Sequence, residues 1–402
     1  MIPELDDRRS ALRVAAALAL GAAVSLGLAR FSYALLLAPM RADLGWSYLT
    51  AGAMNTVNAG GYLVGALLAP RWLARFDARA ALLGGSAAAA LLLAAHGAAS
   101  DDATLYLLRL ATGVASAAAF VSGGLLAARL AATHPGSSGL TLGIYYGGTG
   151  LGIVASALLV PPLIAMPAAQ GWRWAWVALG VAAAVSTAVI AANTRALAAP
   201  PSRAGDRVPF DWRPFAAGLA GYFMFGLGYI GYMTFVITLL REQQLGTAQI
   251  VAFFVLLGAG VVASSWLWAG LLQRCRGGEA LALLNGLLAL ATVLPVLGAH
   301  PLLVYASGLL FGSVFLSVVA STTSLVRHNL PAGLWPGGIS AFTIVFAAGQ
   351  IIGPSAVGWI ADGSGGLQRG LASSALALAL GAALAWRQKP LHAAAVAGSA
   401  RP

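Results

Sequence analysis

Charge is scarce in this 402-residue sequence. Asp, Glu, Lys and Arg make up 9% of it, where a soluble domain carries about 25%. Cysteine is almost absent: Cys275 stands alone, which excludes an internal disulfide and a cysteine-built metal site. Lysine occurs once, at Lys389, against 22 arginines, a bias of composition rather than of mechanism. No phosphate-binding Gly-x-x-x-x-Gly-Lys loop is present, so ATP is not an energy source within this chain. No His, Cys or carboxylate cluster has metal-ligand spacing, and neither metal nor cofactor is expected. A membrane hydrolase or transferase would need an acid–base pair or a metal cluster at one depth. None is visible, and no enzyme is expected. The net charge of +11 comes from basic residues scattered singly between apolar runs. That pattern lacks the basic block of a nucleic-acid binder.

What fills the sequence is apolar: 59% of residues are hydrophobic, with a mean hydropathy of +0.84. Runs separated by charge or Pro/Gly punctuation predict twelve membrane-spanning helices. They lie near 12–38, 48–69, 80–99, 104–131, 139–163, 173–193, 213–240, 248–272, 280–298, 302–326, 337–361 and 370–386. An all-α integral membrane bundle follows, because a spanning backbone must satisfy its own hydrogen bonds, and the runs are too long for barrel strands. Arg8, Arg9 and Arg13 ahead of an Ala/Leu run suggest a secretory signal. The run continues to Pro39, too long for one, so it is expected to be the first span.

Seventeen basic residues fall in the tails and loops on the side shared by both termini, against Arg41, Arg173, Arg241 and Arg369 on the other. By the positive-inside rule both termini are expected in the cytoplasm. The predicted layout is a cytoplasmic N-terminus (1–11), a six-helix bundle (12–193), a Pro- and charge-rich cytoplasmic linker (194–212), a second six-helix bundle (213–386) and a cytoplasmic tail (387–402). The halves repeat at an offset of about 200 residues: Gly27-Leu28 with Gly226-Leu227, Tyr33 with Tyr232, Gly113 with Gly312, Gly148 and Gly152 with Gly349 and Gly353. Parallel repeats of this kind are one transporter architecture, with the substrate site near the midplane.

The stretches RFSYALLLAPMRADLGWSYLTAGAMNTVNAGGYLVGALL, YYGGTGLGIVASALLVP, GWRWAWVALG, YFMFGLGYIGYMTFV and FAAGQIIGPSAVGWIAD resemble the major facilitator superfamily, and within it the bacterial YbfB/YjiJ-type group, over residues 11–390. The resemblance implies a secondary transporter of a bacterial inner membrane working by alternating access, with no implied substrate. Arg109 and Gly113 match the superfamily's span-four pattern, and Gly139, Gly148 and Gly152 its span-five glycines. Ile153 stands where the antiporter pattern has proline, whereas Gly353-Pro354 in span eleven keeps one. After span two, Gly65 is followed by Ala69 in place of the usual carboxylate, with Asp77 nearby among Arg71, Arg75 and Arg79. The second-half loop, with Gly270, Arg274 and Gly277, also lacks its acid.

Arg30 is the sharpest feature. From Arg13 to Arg41 is 28 residues, about 42 Å of helix, which puts Arg30 roughly 16 Å below the Arg41 end. An arginine at that depth costs at least ~2.5–3.5 kcal/mol and should face protein or water. Tyr33 shares its helix face. Arg109 is the other buried-run arginine and either lines the cavity or snorkels outward. Asn55, Asn58 and Tyr62 on span two, Tyr229 and Tyr232 within an aromatic stripe on span seven, and Gln350 on span eleven are cavity candidates, each with helix packing as its alternative. Gly113, Gly148, Gly152, Gly349, Gly353 and Pro354 are expected at close helix contacts and gates. The expectation is a monomeric carrier in the lipid bilayer that moves a small organic anion. The alternatives are export of neutral or cationic hydrophobic compounds, or a receptor without transport.

Overall fold

The computed structural model describes residues 8–166, 170–195, 197 and 210–391. The described residues are helical throughout, with no strand. The first span is composite: α1 (Arg8–Ala22), a π-helical segment (Ala23–Phe31) and α2 (Tyr33–Leu44). There follow α3 (Tyr48–Arg75), α4 (Ala78–His96), α5 (Asp102–Thr133), α6 (Ser138–Ile164) and α7 (Gly171–Asn193). The second half comprises α8 (Ala216–Glu242), α9 (Thr247–Leu267) with its short continuation α10 (Ala269–Arg274), α11 (Glu279–Leu297), α12 (Pro301–Asn329), α13 (Trp335–Ala361) and α14 (Gly366–Trp386). Most of the expected linker, 194–212, and the outer parts of both tails lie outside the described residues.

Eleven of these units are long and apolar enough to cross a membrane. The twelfth, α3, is long enough, but Asn55 and Asn58 dilute its apolar run. It can carry them because it packs against α5 in its own half and α13 in the other. The first span runs past its expected end near 38: the helix continues through Pro39 to Leu44, and the turn is Gly45 at φ 67°, whose N–H bonds back to the Arg41 carbonyl. A left-handed residue there favours glycine. Likewise α3 continues through Pro70 to Arg75. Asp101 starts α5 by accepting the Thr104 N–H at 2.9 Å, which holds its carboxyl below the ordinary range.

The twofold repeat is visible in backbone contacts. A Cβ on Gly113 would lie 2.2 Å from the Asn58 carbonyl, and one on Gly312 2.0 Å from the Leu257 carbonyl. Both members of each pair are 199 positions apart. A Cβ on Gly148 would meet the Ala19 carbonyl at 2.0 Å, and one on Gly349 the Phe223 carbonyl at 2.5 Å. Gly152 and Gly353 sit as tightly against Ala23 and Leu227, and the Pro354 carbonyl faces Gly52 across the halves. Small residues here let helix backbones touch.

The halves meet along α3–α13, α6–α9 and α2–α8. Among the described residues, the hydrogen bonds joining the halves run from Asn55 and Thr56 toward the end that carries Asp362. On the opposite side, the end that carries Arg387, only α6 and α9 remain in extended contact, with Gly143 against Trp266.

Candidate functional site

Arg30 lies in the π-helical segment. Wide π turns move hydrogen bonds from i−4 to i−5, and such segments recur at functional sites. Here the Ser32 N–H goes to the Gly27 carbonyl at 3.1 Å. The Leu28 carbonyl, which an α-turn would have given to that N–H, instead accepts the Ser32 hydroxyl at 2.5 Å. Gly27 packs on the backbone of Gly152, so the loosened segment is wedged against α6.

Arg30 is 3% exposed, and its Nε and Nη2 have no hydrogen-bond partner in the protein. Its guanidinium carbon lies 5.6 Å from the Tyr62 ring centre. Tyr229 lies within its electrostatic reach from the other half. Arg30 and Tyr229 are also 199 positions apart, the same offset as the paired glycines, so they are symmetry counterparts of unlike chemistry. Gln350 donates its amide to the Tyr229 hydroxyl. Behind Tyr229 the rings of Phe225, Phe346 and Phe315 stack at 4.7–5.9 Å, and Phe31 meets Phe315 edge-on at 5.7 Å. One guanidinium with open donors thus borders an aromatic wall.

Arg109 is placed differently. It is 1% exposed and its donors are engaged: Nη1 with the Ala29 carbonyl at 3.0 Å, Nη2 with Asn55 Oδ1 at 3.1 Å, and Nε with the Met54 carbonyl at 3.4 Å. The Tyr33 ring lies 4.8 Å from its guanidinium carbon, and the Tyr33 hydroxyl donates to the Ala51 carbonyl. Asn58 donates to the Arg109 carbonyl at 3.0 Å, and Asn55 donates across the halves to Thr234 Oγ1 at 2.7 Å. Arg109, Tyr33, Asn55 and Asn58 therefore form one network that ties spans one, two and four to span seven. Tyr232 is brought to neither group. It is fully buried inside the second half, bonded to Ser307 and stacked on Phe311 at 4.1 Å.

A third cluster closes the Asp362 end. The Asp362 carboxylate accepts the N–H groups of Tyr48 at 2.7 Å and Leu49 at 2.9 Å. It caps the first turn of α3 from across the half interface, where a negative charge is favoured by the helix dipole. The Tyr48 hydroxyl donates to Glu242, and the Arg41 guanidinium carbon lies 3.8 Å from the Tyr48 ring centre. Sequence reasoning passed over this cluster because it counts acids at span ends as loop residues. Thr234 was a readable signal, a hydroxyl at mid-depth in span seven. The Trp46 and Trp172 indoles, both near span ends, are buried and donate to Asp102 and Asp43, both at 2.8 Å. On α12, Ser317 and Ser324 donate to carbonyls of α9 and α10 and so pack these helices together.

Two six-helix halves around a central site, latched at one end, define a membrane transporter of the major facilitator type. Residues 22–386 match the family described as uncharacterised MFS-type transporter YbfB, and the chain belongs to it. Such a protein is a carrier rather than an enzyme. No curated protein sequence matches the chain. Solved structures share the fold at low identity. A bacterial homologue of the human lysosomal transporter Spinster, in an inward-facing and unoccupied conformation, has a TM-score of 0.72 at 14% identity, covering 94% of this chain and 97% of that one. The nucleoside transporter NupG gives 0.68 at 13%, covering 94% and 100%. The human organic anion transporter MFSD10 gives 0.64 at 16%, covering 93% and 99%.

Proposed function

We propose that this chain carries a small organic anion across a bacterial inner membrane by alternating access, as a secondary active or facilitative carrier with both termini in the cytoplasm. The observation that carries the reading is Arg30, a buried guanidinium with two unpartnered nitrogens. All carboxylates among the described residues lie at helix ends or in loops. A buried cation without a counter-charge is costly, and a carboxylate, phosphate or sulfonate relieves it through a bidentate, charge-assisted contact. The partly exposed Tyr62, whose ring lies against the guanidinium, and Tyr229 of the opposing half, held by Gln350, suit the apolar body of an amphipathic acid. Arg109 adds positive potential while its donors hold helices. The fold does not choose the substrate, since neighbours of similar likeness are described by their nucleoside and organic anion cargo; the choice rests on Arg30.

The test is to find a ligand by thermal shift across organic anions, neutral compounds and hydrophobic cations, then to measure its affinity in wild type, Arg30→Lys and Arg30→Gln. Charge-assisted hydrogen bonds contribute ~1.5–3 kcal/mol, so Arg30→Gln should weaken an anion by about 10- to 100-fold. Arg30→Lys keeps the charge but loses the planar fork and should weaken a carboxylate too. A cationic ligand, or equal affinity in all three proteins, would overturn the proposal.

A further inference from the structure

A second apolar space lies away from Arg30, on the flank of the first half. The helices α3 and α4 scarcely touch each other, yet both pack closely on α5. Between them is a crevice of about 830 Å³, floored by α5 and lined only by apolar residues. Trp72 and Phe76 stand at its Arg387 end, and Gly84, Ala88 and Ala115 line its middle. Along α4 it runs from Ala80 to Leu92, about 18 Å by helix rise. Its rim is turned outward: Phe76 is 56% and Leu107 66% exposed. A crevice of this length on the flank of a spanning bundle opens on the acyl-chain region of the bilayer, not on the central site.

The Trp72 end is charged. Arg71 and Arg75 are exposed at the end of α3 beside Trp72, with Phe76 following as the C-cap residue. Their charge is not consumed in the way that of Arg79 is, which bonds the Ala191 carbonyl at 2.8 Å and Thr194 Oγ1 at 3.1 Å. Asp77, the carboxylate of this loop, caps α4 by accepting the Arg79 N–H. An apolar slot with two arginines at its mouth has the polarity of one molecule, an anionic phospholipid. We propose that the crevice between α3 and α4 is a phospholipid site, in which one acyl chain lies over Gly84 and Ala88 and the phosphate is held by Arg71 and Arg75. Basic clusters beside spanning helices attract anionic headgroups by this chemistry. The site is independent of what binds at Arg30.

Gly84 makes the test clean. A Cβ built there meets nothing within 4 Å, whereas one on the adjacent Gly85 would clash with the backbone of Ala115 and Ala119. Gly84→Phe therefore fills the slot without disturbing the helix contact. The double variant Arg71→Gln/Arg75→Gln changes only exposed side chains. The experiment is native mass spectrometry of the purified full chain in detergent, titrated with phosphatidylglycerol or phosphatidylcholine. A thermal midpoint of each lipid-free variant confirms that it is folded. Wild type should retain phosphatidylglycerol over phosphatidylcholine. A basic residue near an anionic headgroup is a factor of about five, so the double variant should lose roughly 25-fold of that preference. Gly84→Phe should lower retention of both lipids. Equal retention of the two lipids by wild type would overturn the proposal. So would undiminished phosphatidylglycerol binding in both variants, or displacement of the lipid by the ligand of the central site.

Discussion

Two arginines at comparable depth are electrostatically alike and structurally opposite. Arg109 is met by the Ala29 and Met54 carbonyls and by Asn55 Oδ1, so its charge is spread over acceptors on two neighbouring spans. Arg30 has aromatic neighbours and two open nitrogens. Removing one side of a satisfied network leaves buried acceptors unpaired, at ~1–3 kcal/mol each. Removing an unpaired buried charge relieves a cost. Arg109→Gln is thus expected to lower the thermal midpoint markedly, and Arg30→Gln to leave it unchanged or raise it, each measured in the same detergent without ligand. The reverse order would mean that Arg30 holds the fold. The sequence marked both residues as costly and in need of a partner, but it could not separate them. That distinction rests on the acceptors that two other spans bring to Arg109, which no local pattern encodes.

At the scale of the helix, run length and hydropathy made the spans legible, and small residues at a repeated offset made the close contacts legible. A Cβ at Gly148 would strike the Ala19 carbonyl, so this glycine cannot be replaced without moving α1 from α6. Proline misled the reading of helix ends, because a spanning helix tolerates Pro39 and Pro70 where neighbouring helices restore the freed backbone groups. The π segment was illegible, since it depends on how Gly27 seats on Gly152 rather than on composition. The cap of α3 was illegible for a similar reason: Tyr48 and Asp362 are 314 positions apart. That cap joins a helix of one half to a helix of the other, so it behaves as a latch. An N-cap contributes about 1 kcal/mol, enough to shift a two-state equilibrium about fivefold. Asp362→Ala should therefore populate the form open at the Asp362 end. A cysteine at the buried Ala51, in a Cys275→Ser background, should then react faster with a maleimide in the purified protein. An unchanged labelling rate would mean that the contact is incidental to opening.

At the scale of the whole molecule, closure at one end gives the structure a direction, and charge says which way it points. The hydrogen bonds between halves gather toward Asp362, while the opposite end is held mainly by α6 and α9. In the orientation proposed above, the side with seventeen basic residues, which carries Arg387, is cytoplasmic and the side with four, which carries Asp362, is periplasmic. On that proposal the latched Asp362 end faces the periplasm. Three spans, α5, α6 and α7, separate Asp101 from the segment beyond Asn193, so reporters on the two must report opposite sides. A fusion after Asp101 is expected to show alkaline phosphatase activity, which requires the periplasm, and a fusion after residue 205 to show only cytoplasmic activity. Interchanged signals would invert the orientation and put the latched end in the cytoplasm. Signals on the same side would mean that an odd number of the helices between them fails to cross, which would separate α3 from its partner α13 and dismantle the latch as well.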